Sequence, residues 1–343
     1  MPRRYIPVLR WKRGERVGLR NLSAAGKANV VPLVLVAADQ FRGRQPTISK
    51  GAVTAAENFV QELMTAWGTA PIYVDASAVP HSLASSPITD IAAAAQTVGA
   101  TVVPATQLDA PPAYQQAVLQ VAQTYGAGVG LRVDLQELTS AASWAGAWPH
   151  PLGSTDLIVD FADNVAAVNS LGAALDPAFM TVYAAPQWRT ITMVGSSMPG
   201  NFSGYNAGLF TLPRIEWALW QRLATLPLPY ILHYGDYTTV SPNAAPQGIA
   251  WGFPINVRYT LVNDFLVCRG VRTTGFGGVD MDQQLLGHAQ SIVGWPTRGP
   301  LANVWGDTKI DDIAATTDTP GNLETWVQIG VNRHIERTRQ SLP

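Results

Sequence analysis

The sequence predicts a (β/α)8 barrel with a C-terminal β-hairpin and helices packed on it as an appendage. Three observations predict it. Short runs rich in Val, Ile and Leu recur with helix-like stretches between them, as in parallel strands joined by crossover helices. Eight such strand–helix units fill residues 1–240, about the length this barrel needs. No strand is followed by Gly-x-Gly-x-x-Gly, which counts against the runner-up, an open doubly wound sheet.

In chain order the strands are expected at Tyr5–Lys12, Val30–Ala37, Pro71–Ala76, Thr101–Thr106, Gly128–Leu135, Asp156–Ala162, Thr190–Ser196 and Tyr230–Asp236. Each is short and largely apolar, as a strand buried on both faces should be. Helices are expected between them, for example Gly51–Trp67 and Pro112–Tyr125. The second opens on Pro111-Pro112, where proline suits a first turn. After Asp236 the texture changes. Ser241-Pro-Asn-Ala-Ala-Pro-Gln-Gly248 reads as a linker, and Ile255–Thr260 and Phe265–Gly270 flank Leu261-Val-Asn-Asp264 as a hairpin. Two helices follow near Asp280–Val293 and Gly321–Arg339, the latter with a basic end that suits the helix dipole. Residues 241–343 are expected to pack on the barrel of residues 1–240 as one structural unit.

With 343 residues, 47% of them hydrophobic, the chain has ample material for a core. Lys+Arg 23 against Asp+Glu 24 gives a formal charge of -1, which advertises neither nucleic acid nor an anionic membrane surface. The nearest thing to a basic stripe is Arg3, Arg4, Arg10, Arg13, Arg16 and Arg20. A single cysteine, Cys268, excludes an internal disulfide, and a reducing, cytoplasmic compartment is expected. The basic N-terminus is followed by too few apolar residues for a signal-peptide core. No run approaches a membrane span.

Alternation along a strand tells which polar residues point inward together. In Gly128–Leu135 one face carries Val129, Leu131, Val133 and Leu135, so Gly130, Arg132 and Asp134 should face the barrel interior. The same parity places Val8, Arg10 and Lys12 inside, with Leu9 and Trp11 against helices. It also sends Tyr73 and Asp75, Ile158 and Asp160, and Tyr234 and Asp236 inward. Because barrel active sites lie at the C-terminal mouth, Lys12, Asp75, Arg132, Asp134, Asp160 and Asp236 form the candidate catalytic set. Arg132 and Lys12 would compensate some of the carboxylates. An acid left over would serve as general acid, base or metal ligand, with Asp160 and Asp236 the candidates for a divalent cation. Aspartates at strand ends also cap helices and turns, a role open to Asp39, Asp163 and Asp75.

The loop Met193-Val-Gly-Ser-Ser-Met-Pro-Gly200 follows the seventh strand, where Ser196 and Ser197 offer donors to an anion or make an ordinary turn. Tyr237, Arg10, Arg258 and Tyr259 complete the candidate ligand-binding residues. By parity His233 should face helices as a core residue, and His334 should sit in the last helix. No Gly-x-Ser-x-Gly elbow, His-Glu-x-x-His or phosphate-cradling loop is present.

Several stretches carry a resemblance: Tyr5-Ile-Pro-Val-Leu-Arg-Trp-Lys-Arg-Gly-Glu15, Trp188-Arg-Thr-Ile-Thr-Met-Val-Gly-Ser-Ser-Met-Pro199, Gly235-Asp-Tyr237, Asn256-Val-Arg-Tyr-Thr260 and Trp326 through Asn332-Arg-His-Ile335. Through them the chain resembles the beta protein family of phage and bacterial proteins over nearly its full length. The resemblance implies one full-length unit in a phage or mobile-element setting, as an accessory or antiphage defence component. It implies no reaction.

The first expectation is therefore an enzyme acting by hydrolysis or lyase chemistry on a phosphate- or sugar-bearing small molecule or nucleotide. The second is a non-catalytic recognition protein that binds a phage protein or phage-derived ligand at the mouth or the hairpin. It predicts acids consumed in ion pairs. The third, nucleic-acid binding, would need steep salt dependence.

Overall fold

In this computed structural model, residues 2–45, 51–182, 187–243 and 254–343 are described. Eight parallel strands close into a barrel: β1 (Tyr5–Leu9), β2 (Leu33–Leu35), β3 (Ile72–Asp75), β4 (Val102–Gln107), β5 (Val129–Val133), β6 (Thr155–Asp160), β7 (Thr190–Gly195) and β9 (Leu232–Asp236). Each lies within or overlaps an expected strand. Closure is made by β1 on β9, with Tyr5 beside Tyr234 and Ile6 beside Gly235. Neighbours in register share a face. Ile6, Val8, Leu33, Tyr73, Val103, Ala105, Ile158 and Val194 fill the interior as one apolar cluster. Tyr5, Leu9, Val129, Leu131, Leu157, Val159, Met193 and Tyr234 face the helix layer.

Two elements were not expected. The strand β8 (Gly208–Pro213) was hidden by its exposure, which leaves it without a buried apolar run. It is the edge of a separate antiparallel sheet with β10 (Asn256–Thr260) and β11 (Asp264–Arg269), in the order β10-β11-β8. The helix Trp305–Ala314 was also hidden, because few apolar residues mark it; Ile310 and Ile313 supply its buried side. It joins the expected helices Met281–Val293 and Leu323–Ser341. Residues 244–248 of the expected linker lie outside the described residues.

The terminal helix Leu323–Ser341 takes the place of an eighth barrel helix. It lies against the helix Arg13–Arg20, where a Cβ at Gly14 would stand 2.9 Å from Val327, and one at Gly18 would stand 2.8 Å from the carbonyl oxygen of Gln328. Two small residues one turn apart thus let the backbones approach, and Asn332 Nδ2 donates to the Gly18 carbonyl at 3.1 Å. The boundary at residue 240 is therefore crossed twice, by β8 joining the hairpin and by the terminal helix joining the barrel layer.

At the β1–β9 seam Gly235 is required by space. A Cβ there would lie 2.7 Å from both the Ile6 carbonyl oxygen and Val194 Cγ2. Gly235→Ala is expected to destabilise by about 1–3 kcal/mol through overpacking. Urea unfolding checks this, and an unchanged midpoint would show that the seam can open freely.

Candidate functional site at the barrel mouth

The C-terminal ends of β3, β5 and β6 bring three expected residues together. Arg132 Nη1 donates to Asp75 Oδ2 and Arg132 Nη2 to Asp160 Oδ2, each at 2.9 Å. Tyr237, just past β9, donates its hydroxyl to Asp160 Oδ2 at 2.6 Å. The remaining carboxylate oxygens bind backbone: Ser77 N–H to Asp75 Oδ1 at 3.0 Å and Ala162 N–H to Asp160 Oδ1 at 2.9 Å. Gln107 Nε2 reaches Asp75 Oδ2 at 3.5 Å. Burial alone would depress the guanidinium, but Asp160, Tyr237 and Asp75 push its pKa above the usual arginine value. Burial first, and Asp160 next, push the Tyr237 phenol well up. Cation and phenol therefore stay protonated, as donors to the two carboxylates.

A cleft of about 660 Å³ opens beside this cluster, between the loops that follow β5 and β6. Asp160, Phe161, Asn164, Asp134, Gln136 and Thr139 are among its walls. Asp160, 8% exposed, thus belongs to both cluster and cleft.

The other sequence candidates lie elsewhere. Asp134 is an exposed N-cap: it accepts from the Glu137 N–H at 2.8 Å and forms a capping box. It reaches the cleft only as a rim residue. Strand β1 stops at Leu9, so the alternation that placed Lys12 inside ends before it; Lys12 is the exposed N-cap of Arg13–Arg20. Arg10 turns to the carbonyls of Ser241 and Pro242. In the loop after β7 the donors are taken. The Ser197 N–H goes to Glu216 and its hydroxyl to the Pro213 carbonyl, while Ser196 Oγ accepts from the Met198 N–H. Tyr259 points into the helices of the appendage and donates to Asp307 at 2.7 Å. Of the basic N-terminal residues, Arg13 and Arg16 are paired with Glu324 and Glu62.

Parity in β9 is the reverse of the expected one. Met193, beside Tyr234, faces helices, and Thr192, beside His233, faces the interior next to Ile158. His233 is therefore inside, where Nδ1 accepts from the Arg4 N–H at 3.0 Å, and burial pushes its pKa down to about 4. Tyr234 and Asp236 face outward. Asp236 Oδ1 accepts from Tyr5 Oη at 2.6 Å, and Oδ2 from Tyr234 Oη at 2.8 Å. Arg214 lies 3.4 Å from Oδ2. His334 of the terminal helix binds Oδ2 through Nε2 at 2.8 Å, and its Nδ1 meets Thr260 Oγ1 at 2.9 Å. The Asp–His–Thr line has the order of a nucleophile relay. Asp236 is 1% exposed and the other two 0%, so no substrate reaches it. It locks the barrel wall to the terminal helix and the hairpin. Asp236 and Asp160 are thus on opposite faces of the wall and cannot share a cation. Among the described residues no group of three His, Cys, Asp or Glu side chains converges as a metal site, and no helix is long and apolar enough to cross a membrane.

Sequence reasoning passed over Asp156, although it shares parity with Ile158 and Asp160. It is fully buried at the opposite end of β6, where it accepts from Tyr73 Oη at 2.6 Å, Arg189 Nε at 2.9 Å and Thr190 Oγ1 at 2.7 Å. This closes the N-terminal end of the barrel.

The family model described as Beta protein matches residues 5–340, so the chain belongs to that family. A solved type I 3-dehydroquinate dehydratase from Clostridium difficile is similar over 70% of this chain and 87% of its own, at 11% identity and a TM-score of 0.41. A likeness at that level transfers no chemistry. No curated protein matches the chain.

Proposed function

We propose that this member of the Beta protein family is a barrel enzyme acting by hydrolysis or lyase chemistry on a neutral, hydroxyl-rich small molecule such as a sugar derivative. One observation carries the reading: Asp160 is held by Arg132 and Tyr237 and at the same time edges the cleft. Asp160 would take a proton from a substrate hydroxyl or a water, and Arg132 and Tyr237 would hold it in place. Among the described residues the cleft wall carries Asp134 and Asp160 and no Lys or Arg, which favours a sugar over a phosphate. The phage or mobile-element setting is the one the resemblance implies.

A panel of nitrophenyl glycosides and oligosaccharides tests the reading. Turnover by the native chain should fall at least a hundredfold in Asp160→Asn, compared per folded molecule at a temperature below the melting midpoint of the variant. Equal turnover by the variant would remove Asp160 from the chemistry.

A second reading is favoured by one specific feature: all four oxygens of Asp75 and Asp160 already have donors. A recognition protein would use the cleft for binding alone. Saturable binding of a sugar ligand, with no product and equal affinity in Asp160→Asn, would favour it.

A further inference from the structure

The register of the three-stranded sheet fixes what its barrel-side face carries. Three rows cross it: Thr260, Phe265 and Leu212; Arg258, Val267 and Phe210; Asn256, Arg269 and Gly208. The first row is sealed by His334, which bonds Thr260 and stacks on Phe265. The next two rows put the guanidiniums of Arg258 and Arg269 on diagonal positions, within mutual reach of long side chains. Among the described residues neither makes an ion pair. Residues 1, 46–50, 183–186 and 244–253 contain no Asp or Glu, so they bring no carboxylate.

Like charges side by side without a counter-ion are unfavourable, the more so where water is excluded. Arg258 Nε is closed off from solvent and, among the described residues, has no acceptor, and its guanidinium stands 5.1 Å from the centre of the Phe202 ring. Burial pushes its pKa down to about 10. Asn256 Oδ1 is buried and, among the described residues, has no donor. Beside Arg269 the face is open: Gly208 has φ 130, and a Cβ there would meet nothing within 4 Å. Phe210, in the Arg258 row, stacks on Tyr205 with ring centres 4.6 Å apart. Tyr205 is 38% exposed.

We propose that this face binds a phosphorylated small molecule carrying a stackable ring. The phosphate sits between Arg258 and Arg269, a ligand N–H or O–H donates to Asn256 Oδ1, and the ring lies against Tyr205 and Phe210. Guanidiniums suit phosphate because their planar forks bind its oxygens in pairs. The site shares no residue with the Asp160 cleft.

Calorimetry and thermal melts of the full chain test it with AMP, ribose 5-phosphate, adenosine and inorganic phosphate. AMP should bind saturably and at least tenfold tighter than inorganic phosphate or ribose 5-phosphate, which lack a ring to stack on Tyr205 and Phe210, and adenosine should not bind. Arg269→Gln, at a partly exposed position, should weaken binding at least tenfold. Arg258→Met should abolish it and raise the melting temperature of the unliganded chain, because an uncompensated cation is removed. Asp160→Asn should bind as the native chain does, so the outcome is independent of the enzyme reading. No saturable binding of AMP, equal affinity for AMP and ribose 5-phosphate, native-like binding by both arginine variants, or a lower unliganded melting temperature in Arg258→Met would overturn the site.

Discussion

Arg132→Met is expected to destabilise the chain by about 3–5 kcal/mol, because it strips the counter-charge from two buried carboxylates at once. Asp75 and Asp160 are 3% and 8% exposed, and each takes one arm of the guanidinium. The methionine itself fills similar apolar volume, so the loss comes from charge and not from a cavity. Two further variants separate these causes. Arg132→Lys keeps the charge but has one point of donation where the fork had two, and it should lose less. Adding Asp75→Asn and Asp160→Asn to Arg132→Met should restore much of the stability, since neutral amides no longer need the cation. Urea midpoints across the four chains decide the matter. A triple variant no more stable than Arg132→Met alone would mean that the mouth is held by packing and not by charge balance.

That cluster was legible because β5 is unambiguous. Val129, Leu131 and Val133 on one face leave Gly130 and Arg132 on the other, and the period of two does the rest. β6 reads the same way through Leu157 and Val159 against Ile158 and Asp160. β9 is different: its two faces are Leu232, Tyr234, Asp236 and His233, Gly235, Tyr237, each mixing apolar and polar groups. Nothing local told which faced helices, because the partners that make an outward Asp236 tolerable, Arg214 and His334, come from distant parts of the chain. Tyr237 was found as a ligand residue, but its bond to Asp160 follows only from the correct parity. Asp134 failed for another reason: Asp134 with Glu137 three residues on is the sequence signature of a capping box, and that local signal competed with the strand pattern and won. β8 was invisible because an edge strand with one exposed face gives no buried apolar run.

Asp236→Ala should be about as damaging as Arg132→Met, also about 3–5 kcal/mol, since it takes from the buried Arg214 one of its two carboxylates, leaving Glu216 at 3.6 Å, and orphans the hydroxyls of Tyr5 and Tyr234. The same network predicts how stability depends on pH. Burial pushes the His334 pKa below its ordinary value, and the nearby Asp236 does not offset this. The ring is then neutral, accepting from Thr260 at Nδ1 and donating from Nε2 to Asp236. Burial works against the Asp236 carboxylate, but His334, Arg214 and Tyr5 outweigh it and hold its pKa below the usual aspartate value. A histidine with a depressed folded pKa binds fewer protons in the native state, so stability should fall as pH drops below about 6.5. The aspartate contribution is fully present above about pH 4 and is lost as pH falls through its folded pKa. His233, His150 and His288 are also depressed by burial and add to the upper window. The informative quantity is therefore the difference between the native chain and His334→Gln, whose amide still donates to Asp236 but does not titrate. Between pH 7 and pH 5 the urea midpoint of the variant should decline less steeply than that of the native chain, while below pH 4 the two should fall together. Parallel curves throughout would show that folding leaves the His334 pKa unshifted, and a variant that declines more steeply than the native chain would show a His334 protonated in the folded state, as a cation paired with Asp236.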